Sequence, residues 1–421
     1  MYSPELTSLR REALEAQLRP VLPDGLVEFS VEEVREFQEG FKDLFDKKGQ
    51  HTRALSPAES QFIQNERIFS KISYQYFAER YWTVNLAGQT LGPLFPLWES
   101  QLLVLHELGR LEWERHQSGY PDGLIVNTLK ARQMGLSTLA ESLLGHRLVT
   151  HGDVNGLLAS DVPDNSNFLY DMFERGIDNL PWYLRPTITE RVKNDEMVFA
   201  TGSRLMMGAS KSTRGADKTE SGGGRKGQLG RGKTVSVVHL SELATWVNPS
   251  QIDGSLTPGI PVSPFTLWIK ESTAQGRGPH NWWYQDWLLA KSGKSRSAAV
   301  FIGWWAEKEK YWLPFPSDWI PKDETLQHAR RIEATSARWM HGRVYRPTKE
   351  QLYWYERARG EAEAKDQLEE FLQEYPADDE EAFQMSGRSV FKVGVRERVR
   401  IQARPLAGLV EVMSHARMGG A

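Results

Sequence analysis

The stretch that most constrains this chain lies between residues 124 and 144, where an apolar run leads through a polar loop into a leucine-rich segment. Residues 124–130 read LIVNTLK, which is typical of a buried β-strand. The segment after the loop has leucines at 136, 139, 143 and 144, which is the spacing of one face of an α-helix. A strand, a loop and a helix in this order predict a phosphate-binding loop.

This loop departs from the common GxxxxGK[ST] pattern at both ends. In that frame Gly135 occupies the second glycine and Ser137 the metal-binding hydroxyl, whereas Lys130 stands at the first glycine and Leu136 replaces the lysine. We expect the long side chain of Lys130 to reach the same phosphates, while loop amides and the helix N-terminus supply the other contacts. Taken alone, a helix that begins by chance after Gly135 explains the stretch equally well.

A second apolar run ends in a carboxylate. Residues 234–242 read TVSVVHLSE, so the predicted strand ends at Ser241 and Glu242. P-loop ATPases end this strand in Asp-Glu, where the aspartate orders the metal shell and the glutamate orients the attacking water. Ser241 at the aspartate position predicts a weaker or water-relayed metal contact, and Glu242 keeps the position that polarises water. A buried strand that ends in a solvated glutamate is the alternative.

A third predicted strand, residues 265–270, runs directly into the sequence ESTAQG at residues 271–276. Small hydroxylated residues at a strand end beside an ATP site suit a sensor of the γ-phosphate. An ordinary Ser/Thr/Gly turn is the alternative. Strands that alternate with helices in this way predict an α/β fold with a largely parallel sheet, whose ligands bind at the carboxyl ends of the strands.

Composition limits the classes of function that fit. The chain has 421 residues, no cysteine and a formal net charge of −3, so disulfides and thiolate metal sites are excluded and a broadly basic nucleic-acid coat is not expected. Any contact with DNA must use a local patch. One candidate is the glycine-rich stretch 204–233, which has eight lysines and arginines against two acidic residues. A mobile basic loop that follows phosphates fits this composition, and a solvated insert is the alternative for most of 210–228.

The three segments in this order resemble the large terminase subunit of tailed double-stranded-DNA phages, the ATPase that pumps the genome into the procapsid. The resemblance covers roughly residues 60–391. It is carried by KARQMGLST at 130–138, VHLSE at 238–242 and ESTAQG at 271–276, with shorter matches LPWYL at 180–184, GRG at 230–232, NWWY at 281–284, EYP at 374–376 and EAF at 381–383.

The resemblance implies an ASCE-type P-loop NTPase fold, a mostly parallel sheet flanked by helices. It also implies a division of the chain into a helical N-terminal extension (1–75), an ATPase core (76–310), a lid subdomain with its linker (311–385) and a basic tail (386–421). The family continues into a nuclease domain. We therefore expect the tail to be the start of a missing or truncated nuclease, and we expect no nuclease activity from this chain alone.

The cofactors that the resemblance implies are ATP and Mg²⁺. The expected nucleotide contacts are Gln101, Lys130, Ala131, Arg132, Gln133, Met134, Gly135, Leu136, Ser137 and Thr138. Gln101 is expected to read adenine through its amide, with a surface glutamine at a helix start as the alternative. Ser137 is expected to bind Mg²⁺, and Glu242 to reach the metal through water.

The resemblance also assigns catalytic and coupling residues. Lys130 neutralises phosphate charge, Glu242 orients the attacking water, and Arg231 acts on the nucleotide of a neighbouring subunit, with simple DNA or solvent contact as the alternative for Arg231. The expected coupling residues are Glu271, Ser272 and Thr273.

The implied function is ATP-driven translocation of double-stranded viral DNA into a procapsid, without sequence specificity. The implied partners are the small terminase subunit, the portal and procapsid, and further copies of the chain in a ring on the portal. We expect the protein in the host cytoplasm, transiently on the procapsid, not secreted and with no membrane partner. Two alternatives stay open, a helicase-like DNA-remodelling ATPase and a non-hydrolysing DNA- or capsid-binding module. Leu136 and Ser241, which depart from the standard ATPase residues, keep the second alternative open.

Overall fold

The computed structural model describes residues 26, 29–45, 52–85, 97–117, 123–210 and 234–383. Its strands are β1 (Leu124–Lys130), β2 (Asn155–Ser160), β3 (Ile188–Val192), β4 (Glu196–Phe199), β5 (Arg204–Ala209), β6 (Val237–Ser241), β7 (Leu267–Ser272) and β8 (Ala298–Ile302). Its helices are α1 (Val31–Gly40), α2 (Pro57–Ile72), α3 (Tyr74–Tyr81), α4 (Glu99–Gln117), α5 (Leu136–Thr150), α6 (Pro163–Asp178), α7 (Pro249–Leu256), α8 (Trp282–Lys291), α9 (Asp323–Trp339), α10 (Lys349–Ala364), α11 (Leu368–Glu374) and α12 (Asp379–Ala382).

The strands form one sheet in the order β3-β4-β5-β2-β6-β7-β1-β8. The pairs from β5 through β8 are all parallel, and only the pairs β3–β4 and β4–β5 are antiparallel. β7 lies between the strand that enters the phosphate-binding loop and the acidic strand β6. An additional strand at this place defines the ASCE class of P-loop NTPases. The predicted fold class, a mostly parallel α/β sheet flanked by helices, is confirmed.

The central strands β1, β6 and β7 are buried along their whole length, as expected for a parallel sheet that is covered on both faces. Every residue of β1 and β6 is buried. Helix α5 is buried over most of its length, and its leucines at 136, 139, 143, 144 and 148 are all buried. The loop between β1 and α5 is thus fixed at both ends by elements of the core.

Trp82 packs against α5 and α6 at positions where both helices carry glycine. A Cβ atom at Gly145 would lie 2.3 Å from the Trp82 ring, and one at Gly176 would lie 2.2 Å from it. Since real Cβ atoms do not approach so closely, the two glycines are needed for the indole to enter. This contact joins the segment after α3 to the layer that supports the loop.

The described part of the predicted N-terminal extension belongs to the same core as the sheet. Helices α1 and α2 both begin with capping boxes, from Ser30 and Ser56 respectively. Phe62 of α2 stacks on Phe37 with ring centroids 4.3 Å apart, and Phe41 contacts Trp182 edge-on. The predicted domain boundaries stay predictions, and residues 1–25 lie outside the described part.

Helices α9 to α12 pack on the end of the sheet near β8. Trp304, just after β8, stacks on Tyr355 of α10 with ring centroids 5.5 Å apart and on His328 of α9 with ring centroids 6.0 Å apart. The described residues include the predicted lid, residues 311–385, as far as residue 383, and its assignment as a subdomain stays a prediction. The predicted basic tail lies outside the described residues. No helix in the described ranges is long and apolar enough to cross a membrane.

Candidate nucleotide-binding site

The loop between β1 and α5 turns through two residues with left-handed backbone conformation. Gln133 has φ 55° and Gly135, the N-cap of α5, has φ 68°. A Cβ at Gly135 would lie 2.7 Å from Nε2 of Gln101 and 3.0 Å from the ring of Trp98. Backbone conformation and close packing therefore both require glycine at 135. Gly135, which was predicted to be the second glycine of the loop, therefore has a backbone conformation and a packing that only glycine allows.

Six consecutive backbone amides of the loop and helix start have no partner among the described residues. The first helical hydrogen bond is donated by the amide of Leu139 to the carbonyl of Gly135 at 3.1 Å, and no amide in 133–138 donates to another residue that the structure describes. The amides of Ala131 and Arg132 donate to the carbonyls of Ile302 and Glu374. A helix N-terminus with free amides suits an anion. The amides without a described partner are thus 133–138, and they include every predicted loop contact after Arg132.

Gln101 lies beside the loop, and the hydrogen-bonding groups of its side-chain amide are already used by Gly135 and Trp98. Its Nε2 donates to the carbonyl of Gly135 at 2.7 Å, and its Oε1 accepts from the amide of Trp98 at 2.8 Å. The residue is only 1% exposed. In this structure Gln101 fixes the loop, and the adenine contact stays a prediction.

Lys130 is buried at the end of β1 between two carboxylates. Its Nζ lies 3.2 Å from Oε1 of Glu242 and 3.1 Å from Oε2 of Glu271. Burial alone would lower the pKa of the ammonium, but the charges of Glu271 and Glu242 outweigh it and raise the pKa above its usual value. Lys130 is therefore held in its charged form where the predicted phosphate-binding loop begins.

Glu271 at the end of β7 is fully buried and joins the loop to the acidic strand. Its Oε1 accepts hydrogen bonds from the hydroxyl groups of Ser137 and Ser241, both at 2.8 Å. Burial alone would raise the pKa of the carboxyl, but the charge of Lys130 and the hydrogen bond from His239 outweigh it and lower the pKa. Predicted as a coupling residue, Glu271 is in contact with the predicted Mg²⁺ ligand Ser137.

Glu242 follows β6 in a left-handed conformation, with φ 55° and ψ 44°. Such a backbone costs a non-glycine residue of order 1–3 kcal/mol and is typical of functional sites. About a third of its side chain, 33%, is exposed, while its partner Lys130 is 7% exposed. Burial raises the pKa of Glu242, and the ammonium of Lys130 opposes that shift. The carboxylate thus faces both solvent and the end of β1, as a group that orients water requires.

The predicted coupling segment contacts two other parts of the site. Ser272 Oγ accepts from the amide of Ala244 in the turn after Glu242, at 3.1 Å. Gly276, at the end of the segment, donates its amide to Oε1 of Gln373 at 3.1 Å. The next residue, Glu374, accepts the amide of Arg132. The end of α11 therefore touches both the phosphate-binding loop and the segment after β7.

Sequence reasoning missed two buried polar residues behind Glu271. His239 of β6 lies 2.6 Å from Oε1 of Glu141 through Nδ1 and 3.3 Å from Oε1 of Glu271 through Nε2. Burial alone would lower the pKa of His239, but its hydrogen bonds to both carboxylates raise that pKa to about 9. The signal available in the sequence was a histidine within an apolar strand and a glutamate within a leucine-rich helix.

Oxygen atoms in this site suit Mg²⁺, which prefers hard oxygen ligands and retains several waters. Ser137 Oγ and the carboxylates of Glu242 and Glu271 supply such atoms around the end of β1. Within the described ranges no group of three His, Asp or Glu side chains is arranged to hold a metal by itself. The donor set therefore fits a metal that is held jointly with phosphate and water.

Two buried glutamates beside the loop lead to a prediction on how the stability of the fold depends on pH. Glu99 is 4% exposed and Glu307 is 5% exposed, and burial together with the charge of Glu307 raises the pKa of Glu99 to about 7. Because the folded pKa exceeds the usual 4.5, this group's contribution to stability is present below pH 4.5 and is lost as pH rises through about 7. We expect Glu99→Gln to raise the free energy of unfolding by about 1–2 kcal/mol at pH 8 and to change it little at pH 4.5.

Urea denaturation of both proteins at the two pH values measures this difference. Glu114→Gln is the matched control, since Glu114 lies on the same helix with 59% of its side chain exposed. An equal effect of Glu99→Gln at both pH values would contradict the assignment.

The sheet order and the strand–loop–helix segment have the fold of the ASCE class of P-loop NTPases. Solved structures with a similar fold include the HK97 bacteriophage large terminase, at 13% identity over 70% of this chain and 53% of that chain, with a TM-score of 0.44. The large terminase from a thermophilic bacteriophage matches at 13% identity over 56% of this chain and 50% of that one, with a TM-score of 0.37. The ATPase domain of the Thermus phage P74-26 large terminase matches at 14% identity over 63% of this chain and 92% of that one, with a TM-score of 0.37.

All three are large terminases, the family that the motifs of this chain resemble. The aligned region spans about half the length of the first two structures. The second of them, from the thermophilic bacteriophage, has also been solved with ADP and with ATP-gamma-S. No protein-family model matches the chain, and no curated protein matches it. Arg231, and with it most of the basic stretch 204–233, lies outside the described residues.

Proposed function

We propose that this chain is the ATPase part of a phage large terminase subunit, a motor that uses ATP hydrolysis to move double-stranded DNA into a procapsid. The observation that carries the proposal is the charged Lys130 buried between Glu242 and Glu271, at the start of a loop with six amides that have no partner in the described ranges. This is the set of groups that phosphoryl transfer needs: a cation, a cradle of donors and a carboxylate near water.

Phosphate binding is the first step. The amides of 133–138 donate to phosphate oxygens, and Lys130 exchanges part of its contact with the two carboxylates for the same oxygens. Because the ammonium is 7% exposed, its charge acts in a poorly screened environment. Mg²⁺, when bound with the nucleotide through Ser137, neutralises phosphate charge.

Hydrolysis is assigned to Glu242. As Lys130 turns toward phosphate, the carboxylate of Glu242 loses its ionic partner and becomes a better acceptor for a proton of the attacking water. Its fixed left-handed backbone holds it at the mouth of the site. Arg231 is proposed to act on the nucleotide of a neighbouring subunit, and complementation between variants in mixed oligomers tests that role.

Movement is assigned to the segment after β7. Glu271 contacts Lys130, Ser272 contacts the turn after Glu242, and Gly276 contacts the helix end that also binds the loop at Arg132. A change at the phosphates therefore reaches α11 through short contacts. We propose that Glu271, Ser272 and Thr273 pass the change on to the surface that grips DNA.

The partners follow from the proposed motor. They are double-stranded DNA held without sequence specificity, the small terminase subunit, the portal and procapsid, and further copies of this chain in a ring, all in the host cytoplasm. The basic composition of 204–233 supports contact with the DNA backbone, since lysine and arginine neutralise phosphates without reading bases.

A steady-state ATPase assay with and without blunt duplex DNA tests the proposal. We expect Mg²⁺-dependent turnover that duplex DNA stimulates, with no strand displacement from a fluorescently labelled fork. Glu242→Gln protein, purified in parallel, sets the background from contaminating ATPases. Strand displacement would favour the helicase-like alternative, and nucleotide binding without turnover would favour the non-hydrolysing module.

A further inference from the structure

The acidic strand of this site lacks one of its two expected acids. β6 ends in Ser241 and Glu242 follows it, so a hydroxyl stands where P-loop ATPases carry the aspartate that orders the metal shell. β6 pairs in parallel with β7, and the residue directly opposite Ser241 in the register is Glu271. A carboxylate is therefore present at the same level of the sheet, one strand away.

The Glu271 side chain extends toward Ser241, the position at which other P-loop ATPases carry the aspartate. Its Oε1 accepts from Ser241 Oγ and from Ser137 Oγ, each at 2.8 Å. Ser137 carries the hydroxyl that is predicted to bind the metal. A glutamate on β7 thus makes the contacts with the loop serine that a shorter aspartate would make from β6.

The second oxygen of Glu271 is buried and has the ammonium of Lys130 as its partner. Oε2 accepts no hydrogen bond from any residue in the described ranges, and its ionic contact is the Nζ of Lys130 at 3.1 Å. Lys130 is the group proposed to turn toward phosphate. Once it turns, a buried carboxylate oxygen needs another partner, since an unpaired buried charge is costly.

Two further residues fix the position of this carboxylate. His239 lies 3.3 Å from Oε1 of Glu271 and is itself held by Glu141 at 2.6 Å. All three side chains are at most 1% exposed. A carboxylate with two serine donors, a histidine and a lysine around it has little freedom to rotate, which is what an acid that orients a metal shell requires.

We propose that Glu271 takes the place of the missing acidic-strand aspartate and orders the Mg²⁺ shell of the nucleotide site together with Ser137. The proposal rests on the proposed ATP site and adds the residue that serves its metal. It also explains the role of Ser241. Its hydroxyl donates a hydrogen bond to the carboxylate of Glu271, which lies where the side chain of an aspartate at 241 would lie.

The test measures the affinity for ADP and for ATP-gamma-S by calorimetry, in Mg²⁺ and in EDTA. Removing a partner that orders a metal shell typically costs 10–100-fold in metal affinity, so we expect Glu271→Gln to reduce the Mg²⁺-dependent gain in nucleotide affinity by about tenfold or more. Glu66→Gln is the matched control, because it removes a buried carboxylate that accepts hydrogen bonds from Tyr76 and Tyr81, outside the cluster around Glu271. It is expected to change the gain by less than about threefold.

A double variant that moves the carboxylate from β7 to β6 gives the decisive comparison. Ser241→Asp combined with Glu271→Gln returns the acid to β6 and is expected to recover part of the lost Mg²⁺ dependence. Nucleotide binding by Glu271→Gln with an unchanged Mg²⁺ gain would overturn the inference while leaving the proposed ATP site intact. Failure of the parent protein to bind nucleotide under either condition would overturn the proposed function itself.

A second variant covers the case in which Glu271→Gln does not fold. Ser241→Asp alone places two carboxylates side by side, and their repulsion should lower the melting temperature in EDTA. Mg²⁺ with ADP should then raise the melting temperature of Ser241→Asp by more than it raises that of the parent protein. An equal rise in both proteins would contradict a metal role for Glu271.

Discussion

Replacing Lys130 by alanine is expected to abolish most ATP hydrolysis, with a loss of about 10²–10³-fold in turnover. The ammonium is the cation at the start of the loop, and Leu136, at the usual lysine position, is buried and uncharged. No other lysine in the described ranges contacts Glu242 or Glu271. Steady-state turnover at saturating ATP and Mg²⁺ measures the loss.

Leu136→Ala is the matched control, because it shortens the side chain at the usual lysine position without changing charge. Leu136 is 4% exposed, so the substitution is expected to lower stability while turnover per folded molecule changes little. Melting curves of both variants separate folding from chemistry. Turnover of Lys130→Ala within about threefold of the parent, a loss below about 1 kcal/mol, would show that the loop is wrongly assigned.

The location of this site was predictable from local sequence patterns. Lys130, Glu242 and Glu271 each lie at or directly after the end of a predicted strand, and parallel strands bring their carboxyl ends to one edge of the sheet. Gly135 was predictable because a strand-to-helix loop of this kind needs a left-handed residue. These features depend on residues that are close in the chain.

The contacts within the site were not predictable in the same way. The hydrogen bond from Ser137 to Glu271 exists because β7 lies between β1 and β6, and the order of strands is set by packing of the whole chain. Gln101 begins a helix as expected, yet its amide is used by Trp98 and Gly135. Which partner a buried amide finds depends on the tertiary approach of segments 34 residues apart.

His239 and Glu141 illustrate the same limit for buried charge. Each interrupts an apolar pattern, and taken singly each has the signature of a polar residue satisfied somewhere in a core. Their meaning depends on the packing of α5 against β6, which places the two side chains 2.6 Å apart and directs the imidazole at Glu271. The sequence alone shows two polar residues within apolar segments. Only the fold shows that they form one series of contacts, from Glu141 through His239 to Glu271.

Glu242→Gln is expected to leave ATP binding nearly intact and to reduce hydrolysis by about 10²–10⁴-fold, the usual contribution of a positioned acid–base group. Glutamine keeps the shape and the left-handed backbone of the position but cannot accept a proton from water. Because Lys130 keeps Glu271 as its partner at 3.1 Å, the loop should retain its charge balance.

Binding of ATP-gamma-S by calorimetry and single-turnover hydrolysis of ATP, measured on the same preparation, separate the two effects. Asp161→Asn is the matched control, since Asp161 directly follows β2 at the same edge of the sheet and its charge acts on the pKa of Glu242 without contacting Lys130. We expect the control to lose far less activity. If Glu242→Gln loses nucleotide affinity in proportion to its loss of hydrolysis, Glu242 serves binding. If Asp161→Asn is the more damaging change, the water-orienting acid lies on β2.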